Sequence, residues 1–180
     1  MSAYKIAWLP GDGVGVEVME AAKICLDALK FDAQYSHGDI GWEFWRTEGE
    51  SFPQRTIDLL GESDAALFGA ITSKPARDAE AELIPALQGK GLTYRSPIVR
   101  MRQRFDLFTC LRPCKAYPGN PLNYKEGIDL VIFRENTEGL YAGVEFSPVP
   151  DELKATLVKL SKPFAHFAGI PGDECAITCK

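Results

Sequence analysis

Lys5-Ile-Ala-Trp-Leu-Pro-Gly-Asp-Gly-Val-Gly-Val-Glu17 passes from an apolar run through a glycine-rich turn into a helical pattern. Ile6 to Leu9 is too short for a helix and is bounded by Pro10-Gly11, so it reads as a buried strand. Beyond the turn, Val18, Ala22, Cys25 and Leu29 recur at spacings of four, three and four, with Met19 and Leu26 widening the stripe. That is the pattern of a helix with one apolar face. A second strand is predicted over 33–37. A short helix follows over 53–60, with Ser51 as its cap and Pro53 in its first turn. Ala65-Ala-Leu-Phe-Gly-Ala-Ile71 is another buried strand. Strand, helix, strand, helix, strand is the rhythm of an α/β layer with parallel strands.

Outward from this core, the polar stretch 71–95 contains Pro75, Pro85, Gly89 and Gly91. It is predicted to be a long loop with one helical turn, and loops of that length in compact domains are often functional. Ser96-Pro97 opens a helix, with Ser96 as cap and Pro97 at the first helical position. Strands are predicted over 107–114 and 129–136, a helix over 151–160 and a last strand over 174–179. The chain has 180 residues, 46% of them hydrophobic, enough for one ordinary domain or two small ones. No apolar run approaches the roughly 20 residues of a membrane span. The first ten residues lack the basic start and long apolar stretch of a signal peptide. Five cysteines, an odd number, read as cytosolic thiols. The expectation is a soluble, cytoplasmic protein without membrane partners.

The net charge of −5 opposes general nucleic-acid affinity, but it hides an asymmetry. Between Arg95 and Arg134 there are eight Lys or Arg against three Asp or Glu, a net +5, so the remainder carries −10. Six of the eight cations are arginines, the side chain suited to forked contacts with carboxylate or phosphate. Arg102 lies in the predicted helix after Ser96. Arg112 and Arg134 fall at the ends of predicted strands, where ligands of open α/β sheets gather. Such a set suits a substrate with several carboxylates, against the alternative of a solvated basic face. Tyr141 follows seven residues after Arg134. A phenol is an ordinary neutral proton donor at pH 7, and the plain alternative is an amphipathic core tyrosine.

Two other patterns do not make a cofactor or metal site. The Gly11–Gly15 turn is not a dinucleotide fingerprint, because Val16 stands where Gly-x-Gly-x-x-Gly needs its last glycine. A strand-to-helix turn beside a ligand is the better reading. Cys110-x-x-x-Cys114 and Cys175-x-x-x-Cys179 fall in predicted strands, where such pairs share a face and read as buried, inert thiols instead of metal ligands. His37 and His166 have no partner suggested by the sequence.

Four stretches together resemble the isocitrate and isopropylmalate dehydrogenases, metal-dependent oxidative decarboxylases of 2-hydroxy acids. They are Gly11-Asp-Gly-Val-Gly-Val-Glu17, Gly69-Ala-Ile-Thr72, Asp106-Leu-Phe-Thr-Cys-Leu-Arg-Pro113 and Arg134-Glu-Asn-Thr-Glu-Gly-Leu-Tyr141. They run in family order over essentially the whole chain. The resemblance implies that Ser96, Arg102, Arg112 and Arg134 bind substrate carboxylates, and that Tyr141 protonates the enol after decarboxylation. It places Thr72 near the nicotinamide end of NAD or NADP. It implies residues 1–106 as part of a large α/β domain. Residues 107–180 would be part of a small domain, with an arm over about 142–180 that clasps a second subunit in a homodimer.

The spelling Arg134-Glu-Asn-Thr-Glu-Gly-Leu-Tyr141 is similar to isocitrate and homoisocitrate enzymes rather than isopropylmalate enzymes. Ser96-Pro-Ile98, with Ile98 at the position of an asparagine in many isocitrate enzymes, resembles homoisocitrate members. Isocitrate to 2-oxoglutarate, the reaction of the tricarboxylic acid cycle, ranks first; homoisocitrate and 3-isopropylmalate are the alternatives. Family members are about twice as long, and their catalytic lysine and metal-binding aspartates follow the point where this sequence stops. The Mg²⁺ or Mn²⁺ ligands are therefore expected outside it, with no metal ligand assigned within. The chain alone is expected to show no turnover. A rival of another class is a non-catalytic module that binds carboxylates or serves assembly.

Overall fold

Eight residues, Tyr4–Gly11, form the central strand β1 of a three-stranded parallel sheet ordered β2-β1-β3. A computed structural model describes residues 4–139, 144–160 and 162–179. Helix α1 (Val14–Ala28) returns the chain to β2 (Ala33–His37), which pairs with Tyr4–Trp8. The chain then crosses through α2 (Trp42–Glu48) and α3 (Gln54–Gly61) to β3 (Ala65–Ala70), on the other edge of β1. The sheet and helices give the mixed α/β class expected, with parallel strands. Helix α2 escaped the sequence reading. It ends at Gly49, whose φ of 75° supplies the left-handed residue that stops a helix.

Side chains alternate along β1. Ala7 and Leu9, both fully buried, face Ile40 and Phe52, with Ile57, Leu59, Leu60, Met101 and Phe105 packed around them. Each fully buried large apolar side chain here contributes about 1.5–3 kcal/mol relative to exposure. The opposite face receives α1, and it does so through glycine. A Cβ on Gly69 would stand 2.3 Å from the Pro10 carbonyl oxygen and 2.8 Å from that of Gly15. The helix therefore lies backbone-to-backbone on the sheet. This also corrects the reading of α1: its buried residues are Gly15 and Met19, with Ala22 and Leu26 half-buried. Val18, Cys25 and Leu29 of the expected stripe are exposed, Leu29 by 77%. The two faces have the same spacing, and the one that includes a glycine can approach closely.

After β3, a single turn of helix, α4 (Ala76–Ala79), and a 3-10 turn (Glu80–Glu82) interrupt the long loop, and α5 (Pro97–Arg104) follows. These belong to a first compact unit, Met1–Phe105; a second runs from Asp106 to Lys180. In the second unit β4 (Thr109–Lys115) and β5 (Asp129–Glu135) form an antiparallel pair. The intervening segment has no helix to carry a parallel crossover. Pro113 lies within β4, opposite Val131, as the predicted range 107–114 allows, so Arg112 sits inside the strand and not at its end. In a two-stranded ladder every strand is an edge, which tolerates proline.

β6 (Val144–Phe146) pairs antiparallel with β7 (Ile177–Cys179) around α6 (Asp151–Leu160). Val149, Leu157, Phe167 and Ile177 line a small apolar interior there. The cysteine expectation fails in part: Cys114 is exposed, Cys110 and Cys175 are half-buried, and Cys175 precedes β7. Among the described residues no helix is long and apolar enough to cross a membrane.

Candidate functional site

Strand order β2-β1-β3 makes the carboxyl ends of β1 and β3 a switch point, where successive connections leave β1 in opposite directions. Crevices at such points are where open α/β sheets bind ligands. Asp12 and Thr72 sit there. The Asp12 N–H donates to the Ala70 carbonyl at 2.9 Å. Its carboxylate accepts the Thr72 N–H on Oδ1 at 2.7 Å and the Trp42 N–H on Oδ2 at 2.6 Å. The Thr72 side chain stays exposed. Gly13, at the head of α1 with φ of 55°, would set a Cβ in open space. The turn thus leaves open space at the head of α1. Sequence reasoning missed Asp12, because its partners lie 30 and 60 residues away.

An aromatic wall stands behind Thr72. The Tyr94 ring packs edge-on to Trp42 at 4.9 Å and Trp45 at 5.4 Å, and its hydroxyl lies 3.3 Å from the Ser73 Oγ. Burial raises the Tyr94 pKa; the Ser73 hydrogen bond pulls it down, and the Asp12 charge adds to the rise, so the phenol is neutral. The Trp42 Nε1–H donates to Glu82 at 2.7 Å, and Lys74 pairs with the other Glu82 oxygen. Lys74 and then Trp42 hold the Glu82 carboxyl below its ordinary value.

Ser96 stands at the N-cap of α5 with Pro97 at the first helical position, as expected, but its side chain makes no capping hydrogen bond. Arg100 of the same helix is occupied by Glu50 through its two terminal guanidinium nitrogens, one at 3.1 Å. Arg102 lies two residues further round and is half-buried. Nor does Ser51 cap α3, whose N-cap is Pro53. Its hydroxyl donates instead to the Arg95 carbonyl at 3.0 Å, immediately before Ser96.

In the second unit Arg134 is next to last in β5, Arg112 lies inside β4, and the register of the two strands relates them. Cys110 faces Arg134 and Arg112 faces Ile132. Directly opposed residues share a face, as do residues two apart on one strand, so both arginines project from one side as diagonal neighbours. The Arg112 Nε–H donates to the Cys110 sulfur at 3.3 Å, an interaction that raises the guanidinium pKa.

Glu135 organises the turn that follows. It accepts the Thr137 N–H at 2.7 Å, the Thr137 hydroxyl at 2.8 Å and the Glu138 N–H at 2.8 Å. Desolvation acts to raise its pKa, but these donors outweigh it and bring the carboxyl to about 2. Asn136, buried, donates to the Leu107 carbonyl at 3.3 Å. Tyr141 lies outside the described residues. Among those residues no group of three or more His, Cys, Asp or Glu is placed to hold a metal ion.

The sequence profile described as isocitrate/isopropylmalate dehydrogenase matches residues 5–162. Protein DlpA of Legionella pneumophila is 43% identical over 177 residues, covering 96% of this chain and 27% of the relative. The 3-isopropylmalate dehydrogenase of Methanothermobacter thermautotrophicus is 43% identical over 170 residues, covering 93% of this chain and 46% of the relative. Among solved structures, the isocitrate dehydrogenase of Methylococcus capsulatus superposes with a TM-score of 0.65 at 25% identity, covering 92% of this chain and 48% of that one. The chain spans less than half the length of each of these proteins.

Proposed function

This chain belongs to the isocitrate/isopropylmalate dehydrogenase family, and from that premise we propose that it supplies the substrate-binding part of an NAD(P)-dependent oxidative decarboxylase of a 2-hydroxy acid. The observation that carries the reading is the β4–β5 register, which sets Arg112 and Arg134 side by side on one face. Two guanidinium forks at that spacing suit a substrate with more than one carboxylate. Ser96 and Arg102 of α5 would bind it as well, the Ser96 hydroxyl being unspent on capping. Isocitrate is the preferred substrate, on the Arg134–Tyr141 spelling; homoisocitrate, on the Ser96–Ile98 spelling, and 3-isopropylmalate, the acid in the name of a 43% identical relative, are the alternatives.

A bound NAD⁺ or NADP⁺ would supply the hydride acceptor for the hydroxyl-bearing carbon. Around it this chain's own residues would orient the reactants. Thr72 would border the nicotinamide, and the arginines would fix the carboxylates and offset their charge while the C–C bond to the departing CO₂ breaks. Tyr141 would then deliver its phenolic proton to the enol carbon. The described residues do not fit a Mg²⁺ or Mn²⁺ site, so a metal in the complete enzyme would take its ligands elsewhere. Residues 1–106 and 107–180 would be parts of its large and small domains, and the segment from about 142 the clasp of a cytoplasmic homodimer.

The test uses the full-length gene product with Mg²⁺, either NAD⁺ or NADP⁺, and each of the three hydroxy acids. Absorbance at 340 nm that rises with one acid supports the reading and names the substrate. Tight binding of an acid without turnover in any combination would favour the non-catalytic rival.

A further inference from the structure

We propose that Asp12 is a positioning residue that holds Thr72 for the nicotinamide end of the cofactor and ties it to the loop before Ser96; the inference rests on the dehydrogenase reading above. Every polar atom of Asp12 is engaged. Its N–H donates to the Ala70 carbonyl at 2.9 Å, and its carbonyl accepts the Gly15 N–H at 3.0 Å. Its two carboxylate oxygens accept the backbone N–H groups of Thr72 and Trp42. One residue thereby joins the end of β1, the first turn of α1, the start of α2 and the end of β3. The Thr72 backbone is held while its side chain remains exposed to a ligand.

The fit is specific to aspartate. Both oxygens face N–H donors, so an asparagine would turn its NH₂ toward one of them and oppose donor to donor. The space for this carboxylate depends on Gly41. A Cβ on Gly41 would already lie 2.4 Å from Asp12 Oδ2, in a residue with φ of 119°. Gly41 then carries the connection onward: its N–H donates to the Ser51 carbonyl at 2.9 Å. The Ser51 hydroxyl, 1% exposed, donates to the Arg95 carbonyl. A hydrogen-bonded line therefore runs from Thr72 through Asp12, the Gly41–Trp42 loop and Ser51 to the residue before Ser96.

The experiment compares wild type with Asp12→Asn and Asp12→Ala in the full-length enzyme. It reads calorimetric binding of NAD⁺ and NADP⁺, KM for cofactor and for hydroxy acid, and amide hydrogen exchange. Losing a charged acceptor is expected to weaken cofactor binding roughly tenfold or more in Asp12→Asn. The hydroxy-acid KM should change much less. Exchange at Thr72 and Trp42 should accelerate by a similar factor while Leu9 and Phe68 stay protected. Unchanged cofactor binding in Asp12→Asn would overturn the inference. So would equal losses for both substrates with protection falling across β1 and β3, which is what a merely structural role gives. If Asp12→Ala does not fold, Asp12→Asn decides alone. A wild-type enzyme that binds neither NAD⁺ nor NADP⁺ would overturn the dehydrogenase reading itself, whereas wild-type binding with an indifferent Asp12→Asn removes only Asp12.

Discussion

Gly69→Ala adds one methyl group at the point where α1 lies on the sheet. Its carbon would stand 2.3 Å from the Pro10 oxygen, 2.8 Å from the Gly15 oxygen and 2.9 Å from the Met19 Cγ. Ordinary contacts begin near 3.5 Å, so the nearest is short by about 1 Å. Met19 can swing away, but the two oxygens are backbone on β1 and α1, and relieving them means lifting the helix. The cost belongs at the upper end of overpacking, about 3 kcal/mol. With a urea slope of about 2 kcal/mol per molar, the unfolding midpoint should fall by about 1.5 M. The control is Gly61→Ala at the end of α3, where a Cβ meets nothing within 4 Å. It should gain about 0.5 kcal/mol by restricting the unfolded chain. Urea titration followed by tryptophan fluorescence reports the right unit, since all three tryptophans (Trp8, Trp42 and Trp45) lie before Phe105. If the two variants unfold at midpoints within about 0.3 M of each other, the backbone-on-backbone seat of α1 is refuted.

Leu9→Ala empties a fully buried position and should cost about 2–5 kcal/mol in the same assay; a loss below about 1 kcal/mol would show that the cluster around Phe52 collapses freely. Arg112→Ala in the complete enzyme should raise the KM for the hydroxy acid, because one guanidinium fork to its carboxylates is lost, and unchanged kinetics would remove Arg112 from the clamp. Glu135, depressed from 4.5 to about 2, contributes stability that is fully present above pH 4.5 and fades as pH falls toward 2. A ¹³C titration of its carboxyl should show the low midpoint, and Thr137→Val should move it up. A midpoint near 4.5 in the wild type would contradict the turn geometry.

Local signals carried the sequence reading far, and long-range ones limited it. Strand β2 and helix α6 have the bounds expected, because a short run between turn residues and an acidic first turn are written locally. The face of α1 was misjudged because Val18, Ala22, Cys25, Leu29 and Gly15, Met19, Ala22, Leu26 have identical periodicity. Only the approach to Gly69 distinguishes them. The arginines are legible as chemistry and Arg134 as a strand-end residue, but Arg112 lies inside β4, and what brings the two side by side is the pairing register. Asp12 and Ser51 read as a turn residue and a cap, since nothing near them in the chain announces partners 30 to 60 residues away.

The β4–β5 pairing has a consequence for how this segment can vary. Facing is set by parity: an inserted residue between Cys110 and Arg112 would send everything on one side of the insertion to the other surface of the ribbon. With Cys110 still opposite Arg134, the arginines would then point apart although neither had been replaced. Changes of letter in the ribbon should therefore be forgiven more readily than changes of count. Insertions belong in the 116–128 connection, where length can be absorbed without altering which residues are opposed.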